Sequence, residues 1–302
     1  MKIGLIDVDS HNFPNVALMK LSAYHKALGH HVEFASHIYS MIEPYDIVYK
    51  SKVFTFTEDD STVINSKKIV KGGTGYGLNT TLPKEIENIY PDYSLYKIKD
   101  TAYGYLTRGC SRNCDFCIVT QKEGNCSVNV ANLNQFWRGQ RHIKLLDPNL
   151  LACKDRLELL DQLIESKARV DFTQGLDIRL MTDEVINRLK KINLEVIHFA
   201  WDKQEGSRKI IENLRRFKQE TRIGYRKLKV YVLTNFDTDF RFDLYRVYKL
   251  KRMGYDPYVM IYDKHKLGKD HQLKMLQRWV NNKIIFRSKT AETFDKYDRK
   301  IG

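Results

Sequence analysis

The nine residues GCSRNCDFC, positions 109–117, contain three of the five cysteines in this chain of 302 residues. Three residues separate Cys110 from Cys114, and two separate Cys114 from Cys117. The stretch directly follows AYGYLTR (102–108), whose aromatic and apolar residues are typical of a β-strand. A strand followed directly by a loop with three thiols is the starting point for our predictions of both the fold and the chemistry of the chain.

Short apolar segments alternate with helical segments over the rest of the chain. The predicted strands are AYGYLTR (102–108), HIKLLD (142–147), RVDFTQ (169–174), LEVIHFAW (194–201), KVYVLTN (229–235) and PYVMIYD (257–263). Helical spacing of apolar residues occurs between them, as in KDRLELLDQLIES (154–166) and DEVINRLKKIN (183–193). Repeated β–α units predict parallel strands covered by helices. We therefore expect an α/β fold with a partial (β/α)₆ barrel over residues 99–302.

The segment ahead of the barrel has an alternation of its own. KIGLIDV (2–8) resembles a buried strand, and residues 15–30 have helical spacing that stops at Gly29. Further strands are predicted in HVEFAS (31–36), DIVYKS (46–51) and the first part of SKKIVKGGTGYG (66–77). Residues 1–98 are thus predicted to form a small Rossmann-like parallel sheet and a linker.

Membrane insertion and secretion are not expected for this sequence. Its apolar runs are too short to span a bilayer, and the first residues lack the basic and apolar regions of a secretory signal. An odd number of cysteines, three of them closely spaced, fits reduced thiols better than a disulfide framework. The predicted location is cytoplasmic.

The positive charge of the chain is concentrated at its C-terminal end. The net charge is +14, and residues 202–302 hold 26 Lys and Arg against 13 Asp and Glu. A one-sided positive surface suits a nucleic acid or nucleotide, although a solvated helix face in a basic protein has the same composition. The candidate contacts are Arg215, Arg216, Lys218 and Arg222.

A C-terminal helix is predicted to extend this basic surface. LGKDHQLKMLQRWVNNK (267–283) places Leu273, Leu276 and Val280 on one apolar face. Its basic residues, which we expect to line the approach to the barrel with the four residues above, are Lys269, Lys274 and Arg278. The aromatic candidates for stacking on a base, with core packing as the alternative, are Tyr225, Tyr231 and Trp279.

Thiolates at the spacing of residues 110–117 bind either zinc or an iron–sulfur cluster. A structural zinc site needs a fourth ligand, and none follows at a zinc-finger spacing, because Cys126, Cys153 and His142 are all isolated. Three thiolates leave one iron of a cubane cluster without a protein ligand. That iron is a place for a small molecule to coordinate.

The chain resembles the radical SAM superfamily at this point. Cys110, Cys114, Phe116 and Cys117 match the family motif CxxxCxΦC, with an aromatic residue at Φ, after the first barrel strand. The resemblance implies a 4Fe–4S cluster whose open iron chelates S-adenosylmethionine (SAM). It also implies reductive cleavage of SAM to methionine and a 5′-deoxyadenosyl radical, with an electron donor such as flavodoxin or ferredoxin.

The resemblance also suggests further SAM contacts at the ends of the barrel strands. The candidates, beside Phe116 in the motif, are Asp147, Gln174, Arg179 and Asp202. LLDPNLL (145–151) stands where many family members have Gly-Gly-Glu, so Asp147 is the candidate for the SAM amino group. Arg179 suits the SAM carboxylate and Asp202 the ribose. A helix cap or a structural ion pair is the alternative for each residue.

The first domain resembles the cobalamin-binding-type domain that precedes many radical SAM barrels. Asp9-Ser10-His11-Asn12-Phe13-Pro14 is partly similar to the family's Asp-x-His-x-x-Gly, in which the His ligates cobalt, but Pro14 replaces the glycine. Bound cobalamin is therefore left as a minor alternative. Methylthiotransferases carry a front domain with three further cysteines, and residues 1–98 contain none.

Three hypotheses for the function follow. The first is a radical SAM enzyme that modifies a nucleic acid or nucleotide, which the basic C-terminal region favours. The second is a radical SAM enzyme that acts on a peptide or small molecule, including cobalamin-dependent methyl transfer. The third is a non-enzymatic iron–sulfur binding module. The specific reaction, the catalytic residue and the oligomeric state are not predicted.

Overall fold

The computed structural model describes residues 1–10, 13–289 and 292–297. Within them the chain forms two parallel β-sheets with helices packed on them, so the predicted α/β class is confirmed. No helix in these ranges has the length and apolar content to cross a membrane.

The first sheet has four parallel strands in the order β2-β1-β3-β4. Its strands are β1 (Lys2–Asp7), β2 (His31–Phe34), β3 (Ile47–Ser51) and β4 (Ile69–Gly72). Its helices are α1 (Val16–Ala27) and α2 (His37–Ile42). Asn15 caps α1 by accepting from the Leu18 amide at 3.2 Å, and its Nδ2 donates to Ser51 Oγ at 2.8 Å. This one side chain therefore both begins the helix and fixes it to β3.

A linker leads from the first sheet to the second. It contains the short helix α3 (Lys84–Glu87) and one 3₁₀ turn, Tyr93–Tyr96. Tyr93 donates its hydroxyl to the Phe136 carbonyl at 2.7 Å and accepts from the amide of Tyr103, in the first strand of the second sheet, at 3.0 Å, which fastens the linker to that sheet. The predicted division into domains at residues 98 and 99 falls just after this turn and stays a prediction.

The second sheet has six parallel strands, and they lie side by side in the order in which they occur along the chain, β5-β8-β9-β10-β11-β12. The two strands that are skipped, β6 and β7, pair with each other in a separate small sheet. The strands after the linker are β5 (Thr101–Gly104), β6 (Thr107–Arg108), β7 (Val128–Asn129), β8 (His142–Leu145), β9 (Arg169–Phe172), β10 (Leu194–Ala200), β11 (Leu228–Thr234) and β12 (Asp256–Ile261). The helices are α4 (Val119–Glu123), α5 (Arg156–Ser166), α6 (Asp183–Leu189), α7 (Ser207–Thr221), α8 (Phe240–Arg252), α9 (Gln272–Asn281) and α10 (Lys283–Arg287). In the described part of the chain, β5 and β12 pair on one side only. The assignment of this sheet to a partial barrel stays a prediction.

Alternation along the strands gives the second sheet one apolar and one polar face. In β8, Ile143 and Leu145 are buried in the core beneath the helices, while His142 and Lys144 point the other way and are half-buried. The apolar side chains of the other strands, such as Val230 in β11, join the same core. This burial holds the helices on one face and leaves the opposite face for polar side chains.

Several boundaries differ from the sequence prediction. The strand expected over 102–108 is split into β5 and the short β6, because the amides of Leu106 and Thr107 donate to the Asp147 carboxylate. The C-terminal helix expected from 267 begins at Gln272, where His271 caps it by accepting from the Leu273 amide. Its predicted apolar face is confirmed, since the side chains buried in the core include Leu273, Leu276 and Val280.

Candidate functional site

The cysteine loop, residues 109–118, lies between β6 and α4 and is closed at its base. β6 and β7 pair antiparallel, which brings the two ends of the segment 109–127 together. The Cys110 amide donates to the Gly124 carbonyl at 3.2 Å, and the Gly109 amide donates to Glu123 Oε2 at 3.2 Å. Gly109 has a φ of +84°, and a Cβ there would lie 2.1 Å from the Cys126 carbonyl oxygen. Only glycine therefore fits at the position that turns the chain into the loop.

The three thiols of the loop lie within electrostatic range of one another and are partly exposed. The Cys117 amide donates to the Cys114 carbonyl at 2.9 Å, which makes a tight turn between two of them. Burial raises the pKa of Cys114 and Cys117, and negative charge on the neighbouring sulfurs and on Asp202 raises it further. Three thiolates that repel one another in this way are stabilised when positive metal centres replace their protons.

Asn149 also contacts the three thiols, although we did not propose it from the sequence. Its Nδ2 donates to the sulfur of Cys110 at 3.4 Å. The side chain is buried, and no group in the described ranges donates to its Oδ1. Ser127 Oγ donates to the Asn149 carbonyl at 2.9 Å and holds the backbone in place. In the sequence, the indication for this residue was that LLDPNLL (145–151) differs from the Gly-Gly-Glu of the family.

Asp147 supports the segment that leads into the cysteine loop. Its buried carboxylate accepts from the amides of Leu106 and Thr107, and from Thr107 Oγ at 2.7 Å. Burial raises its pKa to about 6, against the opposing effect of these hydrogen bonds. The predicted contact with the SAM amino group has no test here and stays a prediction. The observed partners of Asp147 are all in the segment that ends at the loop.

The tip of the cysteine loop lies over the carboxyl ends of the sheet strands. The Arg112 side chain pairs with Asp177, which follows β9. Lys203, which follows β10, reaches Asp115 at 2.9 Å. Further along the same edge, the ring of Phe116 packs edge-on against Phe236, which follows β11, at 5.4 Å between centroids. The motif residue Phe116 thus fixes the loop against the second half of the sheet.

Arg179 lies close to the thiols, whereas Gln174 is exposed. Arg179 Nε donates to Asp177 Oδ1 at 2.7 Å, so this carboxylate holds Arg179 and the Arg112 of the cysteine loop together. The positive charge of Arg179 acts to lower the pKa of Cys114. Gln174 lies in the turn after β9. The SAM contacts predicted for Arg179 and Gln174 stay predictions.

Asp202 follows β10 and is half-buried, close enough to the cysteines to influence their pKa. No group in the described part of the chain donates to its Oδ1, and burial raises its pKa to about 6 despite the nearby guanidinium of Arg246. Arg246 is wholly buried and donates to the carbonyls of Asp202 at 3.0 Å and Leu233 at 2.6 Å. It therefore ties the carboxyl ends of β10 and β11 together. The orphaned oxygen of Asp202 favours a ligand that donates a hydrogen bond there.

The donor set fits a cluster held by three thiolates. Among residues 1–10, 13–289 and 292–297, no three or more His, Cys, Asp or Glu side chains stand close enough to hold a single metal ion. In a cubane each thiolate binds a different iron, so its thiolates stand further apart than the ligands of one ion. Cys110, Cys114 and Cys117 would hold such a cluster. Cys126 is exposed beside the closed base of the loop, and Cys153 is buried in the apolar core.

No protein-family model matches the chain, and no curated protein is significantly similar to it.

A row of polar side chains crosses the open face of the six-stranded sheet, and the sequence analysis proposed only Tyr231 from it. Tyr103, Lys144 and Asp171 are register partners on β5, β8 and β9. His198 stacks on Tyr231 with 4.9 Å between ring centroids, and its Nδ1 lies 3.7 Å from an Asp171 oxygen. Parallel strands buried on both faces are usually apolar throughout. Polar residues at every second position, as in HIKL (142–145) and RVDF (169–172), therefore indicated in the sequence that one face of the sheet is polar.

Burial controls the protonation of this row. It lowers the pKa of His198 to about 4 and raises the pKa of Asp171. His198 is thus neutral at pH 7, and its Nδ1–H donates to the Phe172 carbonyl at 3.0 Å. Tyr231 donates its hydroxyl to the Thr173 carbonyl at 2.7 Å. The row is a preformed polar surface with a carboxylate between Lys144 and the stacked pair of His198 and Tyr231.

The four basic residues predicted to contact nucleic acid lie in the second half of α7 and directly after it. The helix runs back from the carboxyl end of β10 towards the amino end of β11, so its last residues lie towards the opposite edge of the sheet. Lys218 approaches Gly254, just before β12 begins. Arg216 is paired with Glu220 at 2.8 Å, and Arg222 ends the helix with a φ of +53°. Our expectation that these residues line the approach to the barrel is therefore wrong in position for Lys218 and Arg222. For Arg215 and Arg216 it stays a prediction, as does nucleic-acid contact by all four.

The stacking candidates lie in different surroundings. Trp279 is wholly buried in the core, as the alternative interpretation expected. Tyr225 is partly exposed, and the guanidinium carbon of Arg287 lies 3.6 Å from its ring centroid. Tyr231 belongs to the polar face of the sheet.

The cobalamin signals of the first domain are weak. Asp9 is buried, and its carboxylate accepts from the amides of Val53 and Phe54, both at 2.8 Å. His11, the predicted cobalt ligand, lies outside the described residues. In the glycine-rich turn GGTGYG (72–77), a Cβ at Gly73 would lie 2.3 Å from the Lys52 carbonyl oxygen. The turn is thus explained by its close packing against Lys52.

Proposed function

We propose that the chain is a radical SAM enzyme that binds a 4Fe–4S cluster through Cys110, Cys114 and Cys117 and modifies a nucleic acid or nucleotide. On this proposal the six-stranded sheet is a partial (β/α)₆ barrel, and the first sheet is a Rossmann-like domain of the cobalamin-binding type. When bound, the cluster supplies one electron to the sulfonium of SAM, so that a carbon–sulfur bond breaks to give methionine and a 5′-deoxyadenosyl radical. The electron comes from a donor such as a flavodoxin or ferredoxin in the cytoplasm.

One observation carries the proposal. Three thiols with the CxxxCxΦC spacing share a loop that follows the first strand of a parallel sheet in chain order, and this loop contacts the segments after β9, β10 and β11. Parallel β–α folds gather their chemistry at the carboxyl ends of their strands. The loop is therefore where a cofactor and a substrate on the polar face would meet.

The chain's own residues have the following roles on this proposal. Asp147 and Gly109 give the loop its shape, and Asn149 donates a hydrogen bond to the Cys110 sulfur. Arg179 binds the carboxylate of SAM with the part of its guanidinium that Asp177 leaves free. Asp202 accepts from a ribose hydroxyl through its unpaired oxygen.

The polar face of the sheet supports a polar substrate. Asp171 has an oxygen with no donor in the described ranges, and it lies beside the stacked pair of His198 and Tyr231. A planar ring with a hydrogen-bond donor, such as a nucleobase, fits such a set of groups. A substrate held on this face would present its C–H bonds towards the cysteine loop, where hydrogen-atom abstraction would take place.

The test is SAM cleavage by protein that has been loaded with iron and sulfide under anaerobic conditions. The dithionite-reduced protein should bind about four irons per chain and form 5′-deoxyadenosine and methionine in equal amounts. Each of Cys110→Ala, Cys114→Ala and Cys117→Ala should abolish both. Cys126→Ala is the matched control, because that thiol is exposed and lies outside the CxxxCxΦC motif, and Cys153→Ala should also retain the cluster.

The same preparation separates the alternatives. A colourless wild type that binds zinc and takes up no cluster contradicts the proposal. A cluster without SAM cleavage favours the non-enzymatic module. If a peptide or small molecule stimulates SAM cleavage and neither RNA nor DNA does, the substrate is a peptide or small molecule.

A further inference from the structure

A cavity of about 640 Å³ lies between α9 and β12, outside the site described above. The positively charged side chains that line it are Lys264, Lys269, Lys274 and Arg278, and none of its described lining residues is an aspartate or glutamate. The cavity is large enough for one nucleotide unit. The three lysines in its walls therefore give the cavity positive charge.

The three lysines are free to bind an anion. Lys264 and Lys269 are exposed, and Lys274 donates one hydrogen bond to the Leu267 carbonyl at 2.7 Å, which leaves two N–H donors. In the ranges that the structure describes, none of the three pairs with a carboxylate. By contrast, α7 neutralises its Arg208 with Glu212 and its Arg216 with Glu220.

Tyr297 provides an independent indication of a ligand. It lines the cavity with only 6% of its surface exposed, and its hydroxyl has no hydrogen-bond partner among the described residues. A buried hydroxyl without a partner is unfavourable, so a ligand that brings an acceptor oxygen gains from this donor. The amides of Gln277 and Asn281 are already used, because both bind the backbone of Val259 at the sheet edge.

The position of the cavity connects it to the cysteine loop. Tyr262, two residues before Lys264, packs against Phe236 with 5.0 Å between ring centroids. Phe236 in turn contacts Phe116 of the cysteine loop. An extended ligand that is anchored at Lys264 can therefore continue along the same edge of the sheet to the loop.

We propose that this cavity binds the phosphodiester backbone of a nucleic-acid strand and so holds the strand whose reacting nucleotide lies at the cysteine loop. The inference rests on the proposed function for the reaction, but its binding step is independent of the cluster. Lysine ammonium groups bind phosphate as point charges on flexible stems, which suits positioning of a backbone and not recognition of a base. Tyr297 adds one directed donor to a phosphate oxygen.

The experiment measures binding of labelled single-stranded RNA, and of DNA with the same sequence, to the full chain over a series of salt concentrations. The test variant is Lys264→Glu/Lys269→Glu, and the matched control is Lys190→Glu/Lys191→Glu, which changes the same charge at exposed positions at the amino end of β10. The test variant should bind about tenfold more weakly at low salt, and its log–log salt slope should be less steep by about 1.4. The control should bind like the wild type.

Tyr297→Phe tests the directed donor without a change of charge. It should weaken binding about two- to tenfold and should not lower the melting temperature, because the hydroxyl has no partner in the described protein. Weaker binding by both variants supports the proposal, and the strand that binds more tightly is the one that the cavity takes.

Three results would overturn the proposal: no binding of either strand at low salt, equal loss in the control, or binding of inorganic phosphate alone without either strand. SAM cleavage by the same preparation separates the two proposals. Cleavage without strand binding removes only this inference, and strand binding without cleavage removes only the enzymatic function.

Discussion

Asn149 donates its side-chain amide to the sulfur of Cys110 at 3.4 Å, across 39 positions of sequence. The contact joins the segment after β8 to the first thiol of the motif. A hydrogen bond to a cluster thiolate stabilises the more negative, reduced state of an iron–sulfur centre. Asn149 is therefore a positioning residue that also sets the electron affinity of the proposed cluster.

Replacement of Asn149 by leucine, which has a similar volume, should shift the reduction potential of the reconstituted cluster to a more negative value. The reason is the loss of the N–H donor at the Cys110 sulfur. The measurement is a potentiometric titration followed by absorbance and electron paramagnetic resonance. Asn193→Leu, at an exposed position before β10, is the control. An unchanged potential in Asn149→Leu contradicts the assigned role.

Gly109→Ala should prevent the cysteine loop from forming. An added Cβ meets both an unfavourable positive φ and the Cys126 carbonyl oxygen at 2.1 Å. Gly29 has a φ of +73° with nothing within 4 Å of an added Cβ, so Gly29→Ala isolates the backbone cost of about 1–2 kcal/mol. Iron content after reconstitution and unfolding in urea are measured on both variants. Full iron loading of Gly109→Ala would show that the loop tolerates a rearranged turn.

Arg179→Ala should weaken SAM binding by about 1.5–3 kcal/mol, because a charged hydrogen bond to the SAM carboxylate is lost. Isothermal titration with the cluster-loaded protein measures the affinity. Arg188→Ala is the control, since that guanidinium pairs with Asp161 between α5 and α6. SAM affinity that stays at the wild-type value in Arg179→Ala removes this residue from the site.

His198 should make the stability of the protein depend on pH in the acidic range. Burial lowers its pKa to about 4 from 6.5, with a smaller contribution of the same sign from Lys229. The unfolded chain then binds more protons than the folded chain between these values, so stability is full above pH 6.5 and falls as the pH drops towards 4. The loss amounts to about 3 kcal/mol.

The check is urea unfolding of the wild type and of His198→Gln at several pH values. The stability difference between the two proteins should shrink as the pH falls through this window, because only the wild type carries the buried imidazole. His31→Gln, at an exposed histidine, controls for the loss of the residue type. A difference that is independent of pH would mean that His198 is protonated without cost in the folded state.

The sequence by itself determined the α/β class and the cysteine group. Segments such as KVYVLTN (229–235) and PYVMIYD (257–263) became β11 and β12 within one or two residues, because apolar β-branched and aromatic runs that are bounded by turns have one good solution. The three thiols are brought together by nine consecutive residues, so their grouping needs no distant contact. Both properties depend on neighbours along the chain.

The tertiary structure alone decided which side chains surround the thiols. Asn149 and Asp202 reach the cysteines from β8 and β10, and the Asp147 carboxylate breaks the first predicted strand, because burial leaves each polar atom only the partners that sheet register brings near. Arg222 belongs to a basic stretch that suits nucleic-acid binding but lies at the opposite edge, since a helix that returns along a parallel sheet carries its last residues to the amino ends of the strands. Spacing along the chain records local geometry, whereas the direction and pairing of distant segments follow from how the whole core packs.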